Sequence, residues 1–305
     1  MDHQRTTWPE LDFMKIQPTL ETLHQWLQII GKLKLRTVPW QNHSWHSALY
    51  ISSRGITTGS IPWSGRTYQI DLDFIHHELH ISCSDGRTNQ MKLEPMTVAS
   101  FYAELFKRLK ELDIDVKIHG RPNEMEPAIP FDQNETNRDY DTEAVTYIWK
   151  SLECANAVFN EFRSGFLGKS SPVHLFWGGF DLTVSRYSGR EAPLHPGGMP
   201  NMPLDVMQEA YSHEVASVGF WFGSKDFPIP VFYSYIYPTP ESFGSSNIRP
   251  EEAFFSDEMG EFLLKYSDVS NAQNPAAKLL EFLESTYNAA ASTAQWNRGF
   301  LDKGE

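Results

Sequence analysis

Tyr68-Gln69-Ile70-Asp71-Leu72-Asp73-Phe74 alternates apolar and polar side chains at every step. This is the two-residue period of a strand with one face in a core and the other toward water. A turn at His76 to Glu78 leads into Leu79 and Ile81, and Asp85-Gly86 marks a tight hairpin into Met91 and Leu93. Strands joined by turns too short to hold a crossover helix pair antiparallel. Leu182 and Val184, the run Val215 to Phe222 and the run Val231 to Tyr237 repeat the style further along.

Outside these strands the apolar period changes to three or four. Leu20, Leu23, Leu27 and Ile30 form one helical stripe, with Gly31 read as its stop. Val98, Phe101, Tyr102, Leu105, Leu109 and Leu112 form a second behind Thr97 as N-cap. A third runs from Asp141 through Val145, Ile148, Leu152, Ala155, Phe159, Phe162 and Phe166, and a fourth opens at Asn274-Pro275 and carries Leu279, Leu283, Tyr287 and Ala290. The expected fold class is α+β, with antiparallel sheets and packed amphipathic helices.

The element order also reads as one unit used twice. A helix ends in Gly31-Lys32 in the first half and in Gly168-Lys169 in the second, and Trp45 to Arg54 and Trp177 to Arg186 share a spacing of nine. The expectation is two similar α-β-β-β-β-α halves, residues 1–140 and 141–305, within one compact domain or as two. The polar, proline-bearing stretch Arg121 to Tyr140 supplies the boundary.

Composition narrows the function. In 305 residues, 26 Lys and Arg face 39 Asp and Glu, a formal charge of −13, so phosphate backbones and anionic lipid surfaces are poor partners. A hydrophobic content of 40% excludes disorder, and no run reaches the roughly 18 apolar residues of a membrane span. The first residues show no basic region ahead of an apolar run, and Cys83 and Cys154 are too few for a disulfide framework. A cytoplasmic protein acting on a small molecule is expected. Nothing in the sequence sets an oligomeric state.

Candidate chemistry gathers in a few motifs. His43 and His46, in Asn42-His43-Ser44-Trp45-His46, stand at a strand entrance. His174 and Asp181 flank Gly178-Gly179, a pair that marks a bulge or close backbone approach. Four prolines and Gly197-Gly198 make residues 188–212 an irregular segment suited to a lid, with His195 beside its hinge, and it delivers His213-Glu214 to the next strand. These six residues, His43, His46, His174, Asp181, His213 and Glu214, are the catalytic candidates. His213, Glu214 and His174 are also the ligand set if the cofactor is a divalent metal. Arg54 and Arg186 are candidate anion contacts. The aromatics Phe220 to Phe222 and Phe232 to Tyr237 can wall a pocket or simply fill a core.

The motifs resemble those of a mainly bacterial family of roughly 300-residue proteins described only as a domain of unknown function. The resemblance runs from Trp8-Pro9-Glu10-Leu11 through Asn42-His43-Ser44-Trp45-His46, Pro122-Asn123-Glu124, Pro130-Phe131-Asp132, Ser171-Pro172-Val173-His174, His195-Pro196-Gly197-Gly198 and Tyr211-Ser212-His213-Glu214 to Glu261-Phe262-Leu263-Leu264. It implies membership and no activity. The reading from residues alone is a small-molecule enzyme with a His-rich, aromatic-walled pocket, against a non-catalytic binding protein that uses the same pocket.

Overall fold

Two antiparallel sheets form from the alternating segments, most of them pairing with a neighbour in sequence, although Asp181–Glu191 and His213–Trp221 are joined by a long segment and Gly55–Thr57 and Val231–Tyr237 each skip a strand. The computed structural model describes residues 8–304, so the opening residues from which the lack of a leader was read lie outside it. In the first half, α1 (Phe13–Thr37) and a short 3-10 helix (Asn42–Ser47) precede β1 (Tyr50–Ser52), β2 (Gly55–Thr57), β3 (Ile61–Trp63), β4 (Arg66–Asp73), β5 (Glu78–Cys83) and β6 (Thr88–Lys92), and α2 (Val98–Glu111) follows. In the second, α3 (Thr142–Ser164) precedes β7 (His174–Phe176), β8 (Asp181–Glu191), α4 (Leu204–Ala210), β9 (His213–Trp221), β10 (Val231–Tyr237), β11 (Phe254–Ser256) and β12 (Glu261–Lys265), with α5 (Tyr266–Ser270) and α6 (Pro275–Thr293) beyond.

The strand orders are β1-β2-β4-β5-β6, with β3 on β4, and β11-β12-β10-β9-β8-β7. Leu49 and Leu175 join the sheets: each donates its N–H to the other's carbonyl, at 3.0 and 2.8 Å. Buried residues of both halves accordingly belong to one hydrophobic cluster. The α+β class with antiparallel sheets is thus present. The nine-residue spacing, however, does not mark matching places. Trp45 lies in the 3-10 helix ahead of β1 and Trp177 just past β7, while Arg54 sits in the β1–β2 turn and Arg186 in the middle of β8.

The helices start where their caps dictate. Thr97 Oγ1 accepts from Ser100 N at 3.1 Å, Asp141 Oδ1 from Ala144 N at 2.7 Å, and Asn274 Oδ1 from Ala277 N at 3.3 Å, each satisfying a first-turn N–H that has no helical partner. Gly31 does not stop α1, which continues to Thr37. The Trp177 ring lies where its Cβ would be, so glycine serves close approach between the halves rather than termination. Among the described residues no helix is long and apolar enough to cross a membrane.

Register decides what each face of the second sheet carries, because residues paired across antiparallel strands share a face. Leu182, Val184 and Arg186 of β8 pair with Phe220, Val218 and Ala216 of β9, and this face packs under α3 and α6. The opposite face presents Asp181, Thr183, Ser185 and Tyr187 of β8, Ser217 and Gly219 of β9, and Tyr233 and Tyr235 of β10. A sheet face this polar is not core. It is the floor of the site.

Candidate functional site

Glu124 and Asp181 meet over that floor, and Glu261 stands on the same sheet face within reach of the Asp181 charge. Asp181 enters from the start of β8 and Glu261 from the start of β12, while Glu124 descends from the irregular segment between α2 and α3. Asp181 Oδ1 and Glu124 Oε2 lie 3.0 and 3.7 Å from one point, the place where Gly179 would carry a Cβ. A Cβ on Gly178 would strike Glu124 Oε1. The Gly178-Gly179 pair is therefore the space into which the glutamate fits, which is the close approach that two glycines permit.

Strained backbone presents these groups. Glu124 has φ 57° and Phe180, next to Asp181, has φ 56°, a region that non-glycine residues rarely occupy and that costs about 1 to 3 kcal/mol each. Glu124 is held by its own N–H, which donates to Pro200 O at 3.0 Å. Asn123 Nδ2 donates to Asn201 O at 2.7 Å, and Asn201 Nδ2 returns a bond to Met125 O at 2.9 Å. The 121–126 segment and the loop after β8 are thus stitched together above the sheet.

All three carboxyls hold protons far more tightly than an ordinary carboxylate. Burial, with the charge of Asp181 behind it, raises Glu124 and Glu261 to about 7. Burial raises Asp181 to about 6, against the lowering effect of Tyr233, whose hydroxyl donates to Asp181 Oδ2. Desolvation disfavours the charged form and a neighbouring like charge disfavours it again. All three side chains nevertheless keep part of their surface open to solvent. They line a cleft and are not sealed in a core.

Tyrosines and small hydroxyls complete it. Tyr235 and Tyr211 share a hydroxyl–hydroxyl bond at 3.0 Å, and the Tyr233 and Tyr235 rings stack at 6.1 Å. Beneath them Ser217 Oγ lies 3.1 Å from Thr183 Oγ1 and 2.9 Å from Ser185 Oγ, a buried chain of neutral donors and acceptors. His195 stacks on Tyr211 at 4.4 Å, and Tyr237 fixes the loop by donating to Pro193 O at 2.9 Å.

A family described as one of unknown function, DUF5996, matches residues 8–303. The chain belongs to DUF5996. No curated protein and no solved structure matches it. In this DUF5996 chain two of the recognition motifs, Pro122-Asn123-Glu124 and Glu261-Phe262-Leu263-Leu264, turn out to carry carboxyls of the cleft.

Of the residues singled out from sequence, Asp181 lies in the cleft. Of the histidine candidates, His43 and His213 gather around Tyr187, farther along the same sheet face, rather than beside the carboxyls. His43 stacks on Tyr187 at 4.5 Å with His213 at 6.1 Å. Its Nδ1 donates to Ala210 O at 2.9 Å and its Nε2 accepts from Lys169 at 2.8 Å. Burial lowers the pKa of His43, and also that of His46, whose Nδ1 accepts from Gln41 N at 3.3 Å. His174 is fully buried, with Nδ1 donating to Pro172 O at 2.7 Å, and burial lowers it to about 4. It is a core histidine.

The proposed metal set also comes apart. Glu214 follows His213 in β9 and so points to the opposite face, where Arg190 and Ser188 hold it at 2.6 and 2.9 Å. Among the described residues no three His, Cys, Asp or Glu side chains are placed to hold a metal ion, so His213, Glu214 and His174 form no such centre.

The two arginines are structural. Arg54 Nε donates to Asp73 at 2.9 Å. Arg186 lies on the helix face, its guanidinium 3.4 Å from the centre of the Phe162 ring and 4.3 Å from that of Tyr287, so neither is offered to an anion. A groove of about 660 Å³ lined by Arg36, Trp63, Arg66 and Lys117 contains none of the cleft residues.

Sequence reasoning offered Tyr233 and Tyr235 only as pocket wall and missed Glu124, Glu261 and Tyr211 as site residues. Glu124 carried a signal, as the carboxylate of the Pro122-Asn123-Glu124 motif in a proline-bearing segment. For Glu261 and the tyrosines the signal lies in strand register, which periodicity alone does not supply.

Proposed function

We propose that this protein is a small-molecule enzyme that works by proton transfer between the cleft carboxyls. The observation that carries the reading is the pair Glu124 and Asp181, set against each other at the Gly178-Gly179 slot, with Glu261 within reach of the Asp181 charge and all three proton affinities near neutrality. General acid and base catalysis works best when pKa values lie near the working pH, and two carboxyls in unequal surroundings divide the roles. Asp181, whose charged form receives the Tyr233 hydroxyl, is the base. Glu124, desolvated and facing the charge of Asp181, is the acid.

Coulomb repulsion selects the substrate class. Three carboxyls lined by tyrosines favour a neutral hydroxyl-bearing molecule or a cationic one over an anion. The cleft takes Glu124 from the first half and Asp181 and Glu261 from the second, so we read residues 1–140 and 141–305 as halves that act together. The parallel order of β1-β2-β4-β5-β6 and β7-β8-β9-β10-β12, each outward from the Leu49–Leu175 junction, supports descent of both from one unit. Two free, buried cysteines fit a reducing, cytoplasmic setting. The loop over the cleft acts as its lid.

The test is turnover of chromogenic neutral glycosides, esters and amides by the wild type against Asp181→Asn and Glu124→Gln. Turnover by the wild type alone, falling as pH rises through about 7 where the acid loses its proton, supports the proposal. Wild-type rates matched by both variants contradict it. The aromatic wall favours one second reading, a non-catalytic binder, for which small amines or polyols raise thermal stability without any being consumed.

A further inference from the structure

The polar stripe His24, Gln28 and Lys32 runs down α1 at four-residue spacing, so the three side chains stack on one helix face. Gln28 and Lys32 are buried, and buried polar groups are costly unless bonded. Their bonds converge on two places. Gln28 Nε2 donates to Asn123 O at 2.8 Å and to Gly178 O at 3.2 Å, while its Oε1 accepts from Asn123 N at 3.0 Å. Lys32 Nζ donates to the Asn123 side chain. His24 Nε2 stands 3.0 Å from Trp177 O and 2.7 Å from Gly178 O. Carbonyls only accept, so that nitrogen carries the proton.

Asn123 immediately precedes Glu124, and Gly178 is the residue whose missing side chain makes room for Glu124. The stripe thus grips both walls of one slot. We propose that His24, Gln28 and Lys32 are positioning residues that fix the Glu124 carboxyl against Asp181, with Gln28 as the central clamp because it alone bonds both walls. A bidentate amide on the N–H and C=O of one residue fixes its peptide planes as a neighbouring strand would, which is what a backbone held at positive φ requires. This rests on the reading of Glu124 as the cleft acid, and it adds that α1, which contributes nothing to the cleft surface, decides the behaviour of that acid.

The experiment is a carboxyl ¹³C NMR titration of full-length protein, which needs no substrate. The groups facing Glu124 are Asp181 and, at longer range, Tyr211, and Glu261 shares the charge of Asp181, so their resonances are followed together. In Gln28→Met, similar in length and without hydrogen bonds, the expected result is at least a tenfold fall in the proton affinity of Glu124 as the strap loosens and water reaches the carboxyl. Lys34→Met is the comparison, because buried Lys34 of the same helix donates instead to Ala48 O. It should lower the melting temperature and leave Glu124 unmoved.

If Gln28→Met does not fold, Asn123→Ala removes the contacts to Lys32 and Asn201 and carries the same expectation. An unchanged Glu124 titration in the folded variants, whatever their melting temperature, makes the stripe mere scaffold and overturns the proposal. A fruitless activity screen would leave this result standing, and an unmoved Glu124 would leave the catalytic reading standing.

Discussion

Tyr233 reaches across the full width of β9 to donate its hydroxyl to Asp181 on the far strand, passing over Gly219. A Cβ on Gly219 would collide with the Tyr233 ring. Any other residue there would separate the phenol from the carboxylate, so the hydroxyl that favours the charged form of Asp181 depends on a glycine of the strand between the two partners.

Gly219→Ala is expected to displace the ring, to raise Asp181 above its value of about 6, and to cost about 1 to 3 kcal/mol from overpacking. Tyr233→Phe should raise Asp181 with a smaller loss of stability. Carboxyl NMR and thermal unfolding read the two effects separately.

The pH dependence of stability has a definite sign. The folded pKa of Glu124, about 7, exceeds its unfolded value of about 4.3, so between these limits the native state binds more protons than the unfolded one and stability falls as pH rises. Glu124→Gln removes this contribution. It should flatten the denaturant midpoint between about pH 4 and 7 and make the variant more stable than the wild type at pH 8, by about 1 to 3 kcal/mol.

Asp73 behaves in the opposite way. Burial alone would raise its carboxyl, but the Arg54 guanidinium and the N–H groups of His76 and Ile75 hold it well below the usual carboxylate range. Asp73→Asn should cost about 1 to 3 kcal/mol at neutral pH, and the penalty should shrink as pH falls below about 4, because the unfolded wild type takes up its proton there while the folded carboxylate is still charged. Cleft chemistry should be untouched, which distinguishes a scaffold arginine from a ligand contact.

The glycines of the loop after β8 have little tolerance. Gly197 and Gly198 stand at φ 85° and 120°, and a Cβ on Gly197 would lie 2.9 Å from Leu204 Cδ1. Alanine at either position is expected to strain the loop by about 1 kcal/mol or more. Loosening of the Glu124–Pro200 link should then appear as faster amide exchange at Glu124.

The sheets were legible because alternation such as Tyr68 to Phe74 reports burial directly, and the caps Thr97, Asp141 and Asn274 because a side-chain oxygen before an apolar stripe has one economical use. The site was only partly so. Asp181 stood out as a carboxylate beside two glycines, but its partners come from β10, β12 and a strap 57 residues upstream, and only register and loop docking bring them together. Histidines misled for the same reason. His174 looks reactive in a list of residues, yet it is buried where β7 meets the other sheet and its ring is core. Gly31 looked like a helix stop because the Trp177 ring that requires it lies in the other half.

The most direct test of the central claim is a carboxyl ¹³C titration of wild type and Asp181→Asn. The account predicts that Glu124 and Glu261 each titrate near 7 in the wild type and that both move down when the neighbouring charge is removed. Independent titration of all three groups at the ordinary values of about 4, with Glu124 and Glu261 indifferent to the Asp181 substitution, would contradict it.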